Sequence, residues 1–181
     1  MKFCSNCGAA VALKIPPGDH LPRYVCDVCG IVHYENPRLV LGCVPVWEDR
    51  ILLCRRAIEP RRGYWTVPAG FMENGESLQQ AAARECQEEA NATVEIGSLL
   101  AVVSVVHAHQ VHVMFRARLL KPEFSAGPES EEVGLYREEE IPWADIAFPS
   151  GEFTLRRFFS DRAQGREDHH LTELNRRLPH G

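Results

Sequence analysis

The stretch from Ser77 to Ala90, SLQQAAARECQEEA, constrains this chain more than any other. Ser77 followed three residues later by Gln80 fits a capping box, and the interior of Ala, Leu, Gln, Glu and Arg consists of good helix formers. The spacing predicts a helix over 77–90. At about 100° per residue, Glu85, Glu88 and Glu89 then share one arc about 100° wide. Glu85 and Glu89 also point along the direction of Leu78 and Ala82, where the buried stripe is expected to run. Like charges at i, i+4 weaken a helix, so something cationic is expected to offset them. Clustered carboxylates are hard oxygen ligands suited to Mg²⁺ or Mn²⁺, ions that commonly bridge to substrate phosphates. The plain alternative is a solvated acidic face.

The second constraint lies at the N-terminus. Cys4-x2-Cys7 and Cys26-x2-Cys29, eighteen residues apart, have the spacing of a tetrahedral Zn²⁺ site. Gly8 and Gly30 follow the two pairs, where a chain folding two thiolates onto one ion turns sharply and needs positive φ. Four thiolates fill the coordination sphere, so the expected role of this zinc is structural. Disulfide bonding is the alternative, disfavoured in a chain without export features. Cys43, Cys54 and Cys86 lie singly among apolar residues, where a thiol acts as a small hydrophobe.

Three regions are expected: a zinc ribbon over 1–36, a larger domain over 37–163 and a loose polar C-terminal tail over 164–181. Strands are expected at 38–47, 51–56, 65–67, 94–106, 111–120 and 133–137, with Pro45 marking an edge or bulge and a late helix at 153–162. The formal charge of −5 disfavours a polyanion partner, and residues 1–38 carry only +1, a poor footprint for nucleic acid. No apolar run approaches the ~20 residues that span a bilayer, and the first residues lack a signal-type stretch, so no membrane partner and a cytoplasmic location are expected.

Gly70, Glu76, Arg84, Glu85, Glu88 and Glu89 match the Nudix hydrolase signature G-x5-E-x7-R-E-U-x-E-E-x-G-U, with U a bulky aliphatic residue, at every charged position and at the first glycine. Asn91 replaces the final glycine, and Cys86 and Ala92 stand at the U positions. Asn tolerates the left-handed conformation that ends helices. The lead-in Gly63 to Gly70 and the ribbon joined through Tyr34-Glu35-Asn36-Pro37-Arg38 resemble the zinc-ribbon branch of the family, its ADP-ribose and FAD pyrophosphatases in particular. NADH-preferring relatives carry a Ser-Gln-Pro-Trp-Pro-Phe-Pro stretch after the box, whereas this chain continues Leu99-Leu100-Ala101-Val102-Val103-Ser104-Val105-Val106.

The resemblance implies an α+β fold, a mixed sheet in an α/β/α sandwich behind a small zinc ribbon, and pairing of two copies as a homodimer. It implies a small-molecule nucleotide substrate and Mg²⁺ or Mn²⁺ held by Glu85 and Glu89, assisted by Glu88, with a backbone carbonyl near Ala69 or Gly70. Glu76 and Arg84 are expected to form an orienting ion pair, and the general base to come from a distant loop, Glu129 or Glu132. The expected reaction splits a nucleoside diphosphate derivative, ADP-ribose or FAD first and NADH or another dinucleotide second, into two monophosphates. The competing expectation is a ribbon that binds RNA or protein on an idle scaffold. His107, His109 and His112 either line the substrate cleft or decorate a hairpin, and no substrate-binding residue is assigned, Tyr64, Phe71 and Trp47 included.

Overall fold

The computed structural model describes residues 1–175; residues 176–181, the end of the expected tail, lie outside the described residues. The chain divides into two compact units, Met1–Pro37 and Arg38–Gly181.

In the first unit, β1 (Val11–Lys14), β2 (Arg23–Cys26) and β3 (Val32–His33) form an antiparallel sheet in that order. The unit has few large buried side chains; Cys4 and Cys26 are its most enclosed apolar residues. So small a core needs a staple. Each cysteine pair sits on a tight turn closed by a glycine amide: Gly8 donates to the Cys4 carbonyl (2.9 Å) and Gly30 to that of Cys26 (2.8 Å). Both glycines have the left-handed φ the spacing called for, 76° and 74°.

The second unit is built on a mixed eight-stranded sheet. Its strands are β4 (Arg38–Trp47), β5 (Arg50–Arg56), β6 (Trp65–Thr66), β7 (Ala69–Phe71), β8 (Val94–Val105), β9 (Gln110–Leu119), β10 (Ser130–Tyr136) and β11 (His170–Leu174). The main order is β10-β5-β4-β9-β8-β11, with β6 beside β5 and β7 beside β4. Strand alternation splits the core in two. Ile51 and Leu53 of β5 and Met114 of β9 face α2 (Pro149–Ala163), packing with Leu155, Phe158 and Phe159. Leu52 and Cys54, with Val113, Phe115 and Ala117, face α1 (Leu78–Ala90) and pack on Ala81, Ala82, Cys86 and Ala90. A sheet clothed by one helix on each face is the α/β/α sandwich of the α+β fold, and no described helix is long and apolar enough to cross a membrane.

Four local expectations need correction. Pro45 lies in an interior strand, not at an edge or bulge. The sheet forks there: β4 pairs with β7 at Val40–Gly42 and with β5 only at Val46 and Trp47. The Cys43 amide faces that side, donating to the Pro68 carbonyl (3.2 Å), and Pro45, two residues on, turns its donorless nitrogen into the gap between the two pairings. Leu78 is not part of the buried stripe of α1: it is 36% exposed, and the buried face comprises Ala81, Ala82, Glu85, Cys86, Glu89 and Ala90. The late helix starts a turn early, at Pro149, whose missing N–H costs nothing at the first helical position.

The tail past Gln164 is not loose where it is described, since His170–Leu174 adds a parallel strand to β8 at the sheet edge. Beneath it Asp161 of α2, nearly inaccessible, accepts from Arg116 of β9 and lies 3.0 Å from His170 Nε2. Arg116 also donates to the carbonyls of Leu99 (2.9 Å) and Asp168 (3.0 Å), so one buried ion pair ties α2, β8 and the run into β11 together.

Candidate active site and zinc-binding cluster

The four ribbon cysteines converge. Cys4 and Cys29 Sγ are 3.6 Å apart and Cys7 and Cys26 Sγ 3.5 Å, and the four sulfurs lie within 4.8 Å of one another. Thiolates about 2.3 Å from a central Zn²⁺ sit about 3.8 Å from each other, so the donor set fits that ion in number, chemistry and spacing. His33 Nε2 lies 3.3 Å from Cys4 Sγ.

The second unit holds a cavity of about 1600 Å³ that is lined by residues of α1, of the start of α2 and of the strands at the fork. Glu85, Glu88 and Glu89 of α1 line it, with Ala69, Gly70 and Phe71 of β7. The helix that carries them is fixed at both ends. At its start the Ser77 hydroxyl accepts from the Gln80 amide (3.3 Å) and the Gln80 side chain accepts from the Ser77 amide (2.8 Å). At its end Asn91 takes the left-handed conformation, φ 48°. Its side-chain amide reaches the carbonyls of Ser125 and Ala126 (3.3 Å each), a tether that a glycine there would lack.

Glu85 and Glu89 are the two acids that face inward, 8% and 6% exposed. A Cβ on Gly70 would fall 2.2–2.5 Å from the Glu85 carboxyl, so only glycine lets that group lie against β7. Glu89 accepts from the Ala69 amide (3.4 Å) and has no cationic partner within 4.0 Å among the described residues. Burial, and after it the charge of Glu85, pushes the Glu89 carboxyl up to about 8. Burial also raises Glu85, against the pull of Arg84. Two buried oxygen donors, one without a counter-charge, beside backbone carbonyls in a large cavity fit a hard divalent cation. Their oxygens do not close up on Glu88 as the cysteines do on one another; the ribbon group is the only such cluster among the described residues.

Arg84 explains that spacing. It grips Glu76 through Nη2 (2.8 Å) and Nε (3.0 Å) and donates to the Phe71 carbonyl (3.0 Å), to Glu85 (2.7 Å) and to Glu88 (3.0 Å). Its guanidinium thus joins Glu76, in the loop before α1, to two of the helix acids, Glu85 and Glu88. The Glu76 carboxyl, held by Arg84 and by the Glu73 amide, drops to about 2. Glu88 is more than half exposed and rests on Arg84.

The loop after β9 closes the site. Gly127 donates to the Glu89 carbonyl (3.0 Å) and Ser125 to that of Ala90 (2.9 Å). A Cβ on Gly127 would fall 1.8 Å from the Glu88 carbonyl oxygen, so the loop lies against the last turn of α1 only because that residue is glycine. Pro128 and Glu129 are thereby carried into the cavity, and the charge of Glu129 reaches both Glu85 and Glu89. Glu132 lies on β10, pairs with Arg55 at 3.7 Å and does not line the cavity.

His107 and His112 line the cavity, whereas His109 occupies an exposed left-handed turn outside it. Phe71 borders it with Arg38 over its ring; Tyr64 and Trp47 do not line it. The lining also includes Arg56, Gln110 and Ser150, which carry no motif. Arg56 donates through Nε to the Pro60 carbonyl (2.9 Å) and lies over the Phe148 ring. The one signal for these residues is position, since each sits at a strand end or helix start that faces the fork only once the sheet order is known.

Comparison with known proteins agrees. Residues 2–35 match the family model described as Nudix N-terminal, a zinc ribbon, and residues 36–161 match the NUDIX domain model. The crystal structure of a NUDIX hydrolase from Nitrosomonas europaea superposes with a TM-score of 0.95 at 55% identity, over 97% of this chain and 100% of that one. An ADP-ribose pyrophosphatase from Methanocaldococcus jannaschii is 27% identical over 113 residues, 60% of this chain and 67% of that one. The NAD-capped RNA hydrolase NudC of Photobacterium profundum is 41% identical over 96 residues, 51% of this chain and 33% of its own, so the match spans a third of that relative's length. With its carboxylate helix, its sandwich and its ribbon all accounted for, the chain belongs to the Nudix hydrolase family, in the form that carries an N-terminal zinc ribbon.

Proposed function

We propose that the chain is a pyrophosphohydrolase that uses Mg²⁺ or Mn²⁺ to cleave a nucleoside diphosphate derivative, ADP-ribose or FAD in particular, to two monophosphates. The observation that carries the reading is the pair of buried glutamates, Glu85 and Glu89, facing a cavity of about 1600 Å³, with no cationic side chain within 4.0 Å of Glu89 among the described residues. A carboxylate pair alone would repel a diphosphate, so the substrate and the acids require the same divalent ion.

When bound, that ion polarises phosphoryl oxygens and lowers the pKa of attacking water. Glu85, Glu89 and a carbonyl at Ala69 or Gly70 would hold it, while Arg84 fixes Glu85 and keeps Glu88 beside it. Glu129 is the general base: it lines the cavity on a docked loop, where it accepts the proton of the attacking water as the bridging P–O bond breaks. Glu132, held on Arg55, has no part in that transfer. The ribbon is structural, its four thiolates leaving zinc no open position.

Purified protein with Mg²⁺ is tested against ADP-ribose, FAD, NADH, diadenosine polyphosphates and nucleotide sugars. Release of AMP from ADP-ribose or FAD is the expected result, and inactivity across the panel would remove the reading. NADH is the second substrate to examine, and the similarity to a relative named as a hydrolase of NAD-capped RNA adds that RNA to the panel. RNA binding that survives Glu89→Gln, with no turnover, would favour a binding module instead.

A further inference from the structure

The strands β4, β8 and β9 line the cavity through Val40, Val105 and Met114, with Gln110 and His112 set among them on the same face of the sheet. His112 Nε2 and Gln110 Oε1 are 2.9 Å apart, a contact between neighbours on one face of β9. Gln110 Nε2 and His112 Nδ1 make no hydrogen bond among the described residues. The pairing has a consequence that does not depend on which tautomer or amide orientation is present. If the ring donates to the amide oxygen, the amide N–H₂ and the bare ring nitrogen remain; if the amide donates to the ring, the amide oxygen and the ring N–H remain. In both cases at least one donor and one acceptor are left for the cavity.

Sheet register sets the distance from the metal-binding residues. His112 pairs with Val40, which pairs with Phe71, the residue after Gly70. Two strand spacings separate β7 from His112, about 10 Å. That matches the reach of a nucleoside from its phosphate to its base.

We propose that Gln110 and His112 form a subsite for the heterocyclic base of the substrate, recognising an edge that presents one hydrogen-bond donor beside one acceptor. The proposal rests on the pyrophosphohydrolase reading and names the part of the substrate that lies beyond the phosphates. Burial holds the His112 imidazole down to about 4, so the pair carries no charge near neutral pH and offers nothing to a second phosphate. The apolar lining strengthens the two hydrogen bonds and excludes competing water. Because the pair can exchange donor and acceptor by a tautomer change and an amide flip, it accepts bases of either polarity, adenine or the imide edge of a flavin.

The test reads binding without turnover. Affinities of AMP, FMN and ribose 5-phosphate are measured with Mg²⁺ present for the unsubstituted protein, Gln110→Leu and His112→Phe. In the unsubstituted protein AMP or FMN is expected to bind more tightly than ribose 5-phosphate. Each substitution should cut that margin about tenfold, the worth of a buried hydrogen bond, while ribose 5-phosphate binding holds and so reports an intact fold. A margin that survives both substitutions, or no preference for a base-bearing nucleotide at all, overturns the subsite. Failure of the hydrolase reading appears separately, as absence of cleavage in a protein that still binds nucleotides through this pair.

Discussion

At the scale of single residues, Glu89 is the most consequential. A carboxyl raised from its ordinary 4.5 to about 8 holds a proton in the metal-free folded chain that the unfolded chain has already released. The stability it contributes is present below about 4.5 and falls as pH rises through about 8. Metal-free protein should therefore lose stability across that window, and Mg²⁺ should reverse the loss, because binding the ion requires the ionised carboxylate. Below about 8, Mg²⁺ affinity should climb by up to about tenfold per pH unit as one proton is displaced. Calorimetric titration at several pH values measures this, and a flat profile in unsubstituted protein would contradict the assignment. Glu85 and Glu89 were legible in the sequence because their spacing placed them on the buried side of a helix, where a solvated face has no reason to be. Gln110 was not, since a glutamine that opens a strand acquires meaning only from the neighbours that the sheet order brings to it.

At the scale of elements, the loop from Lys121 to Glu129 docks on the end of α1 through Ser125, Gly127 and the Asn91 side chain. Gly127→Ala should force the loop off, because the intruding methyl meets a backbone carbonyl that cannot move without breaking the helix end. A destabilisation of about 1–3 kcal/mol is expected in urea unfolding, with turnover reduced alongside. Full stability in this variant would contradict the docking. Position decides between the two candidate bases, since this loop carries Glu129 to the cavity and Glu132 lies on β10 outside it: Glu129→Gln should lower kcat by about 100-fold or more, whereas Glu132→Gln should leave it near the unsubstituted value. Equal losses in the two variants would count against Glu129. Elements were read well where one periodicity ruled, as in β4 and α1. They were read poorly where tertiary pairing overrode local preference. Pro45 looked like an edge because no sequence pattern announces a forked sheet, and β11 looked like a loose tail because its polar residues gain a strand only from the exposed edge of β8.

At the scale of the molecule, the two units rest on different sources of stability. The larger buries two apolar layers against its sheet, while the ribbon, poor in buried side chains, depends on its four thiolates. Metal analysis should find about one zinc per chain. Chelation should unfold the ribbon while Arg38 to Asn175 keeps its helical signal. Zinc-free protein with an oxidised Cys4 or Cys29 would overturn the metal site. The ribbon and the acidic helix are foreshadowed by motif spacing and the sandwich by the family resemblance, whereas the cavity of the larger unit depends on strand order and could not be. The proposed hydrolysis requires Glu85 and Glu89 to act together on one divalent ion. The most direct test is kcat for Glu85→Gln and Glu89→Gln, with saturating Mg²⁺, on the diphosphate that the unsubstituted protein cleaves fastest. Each should fall by about 100-fold or more with circular dichroism unchanged, and turnover at the unsubstituted level in either variant would contradict the account.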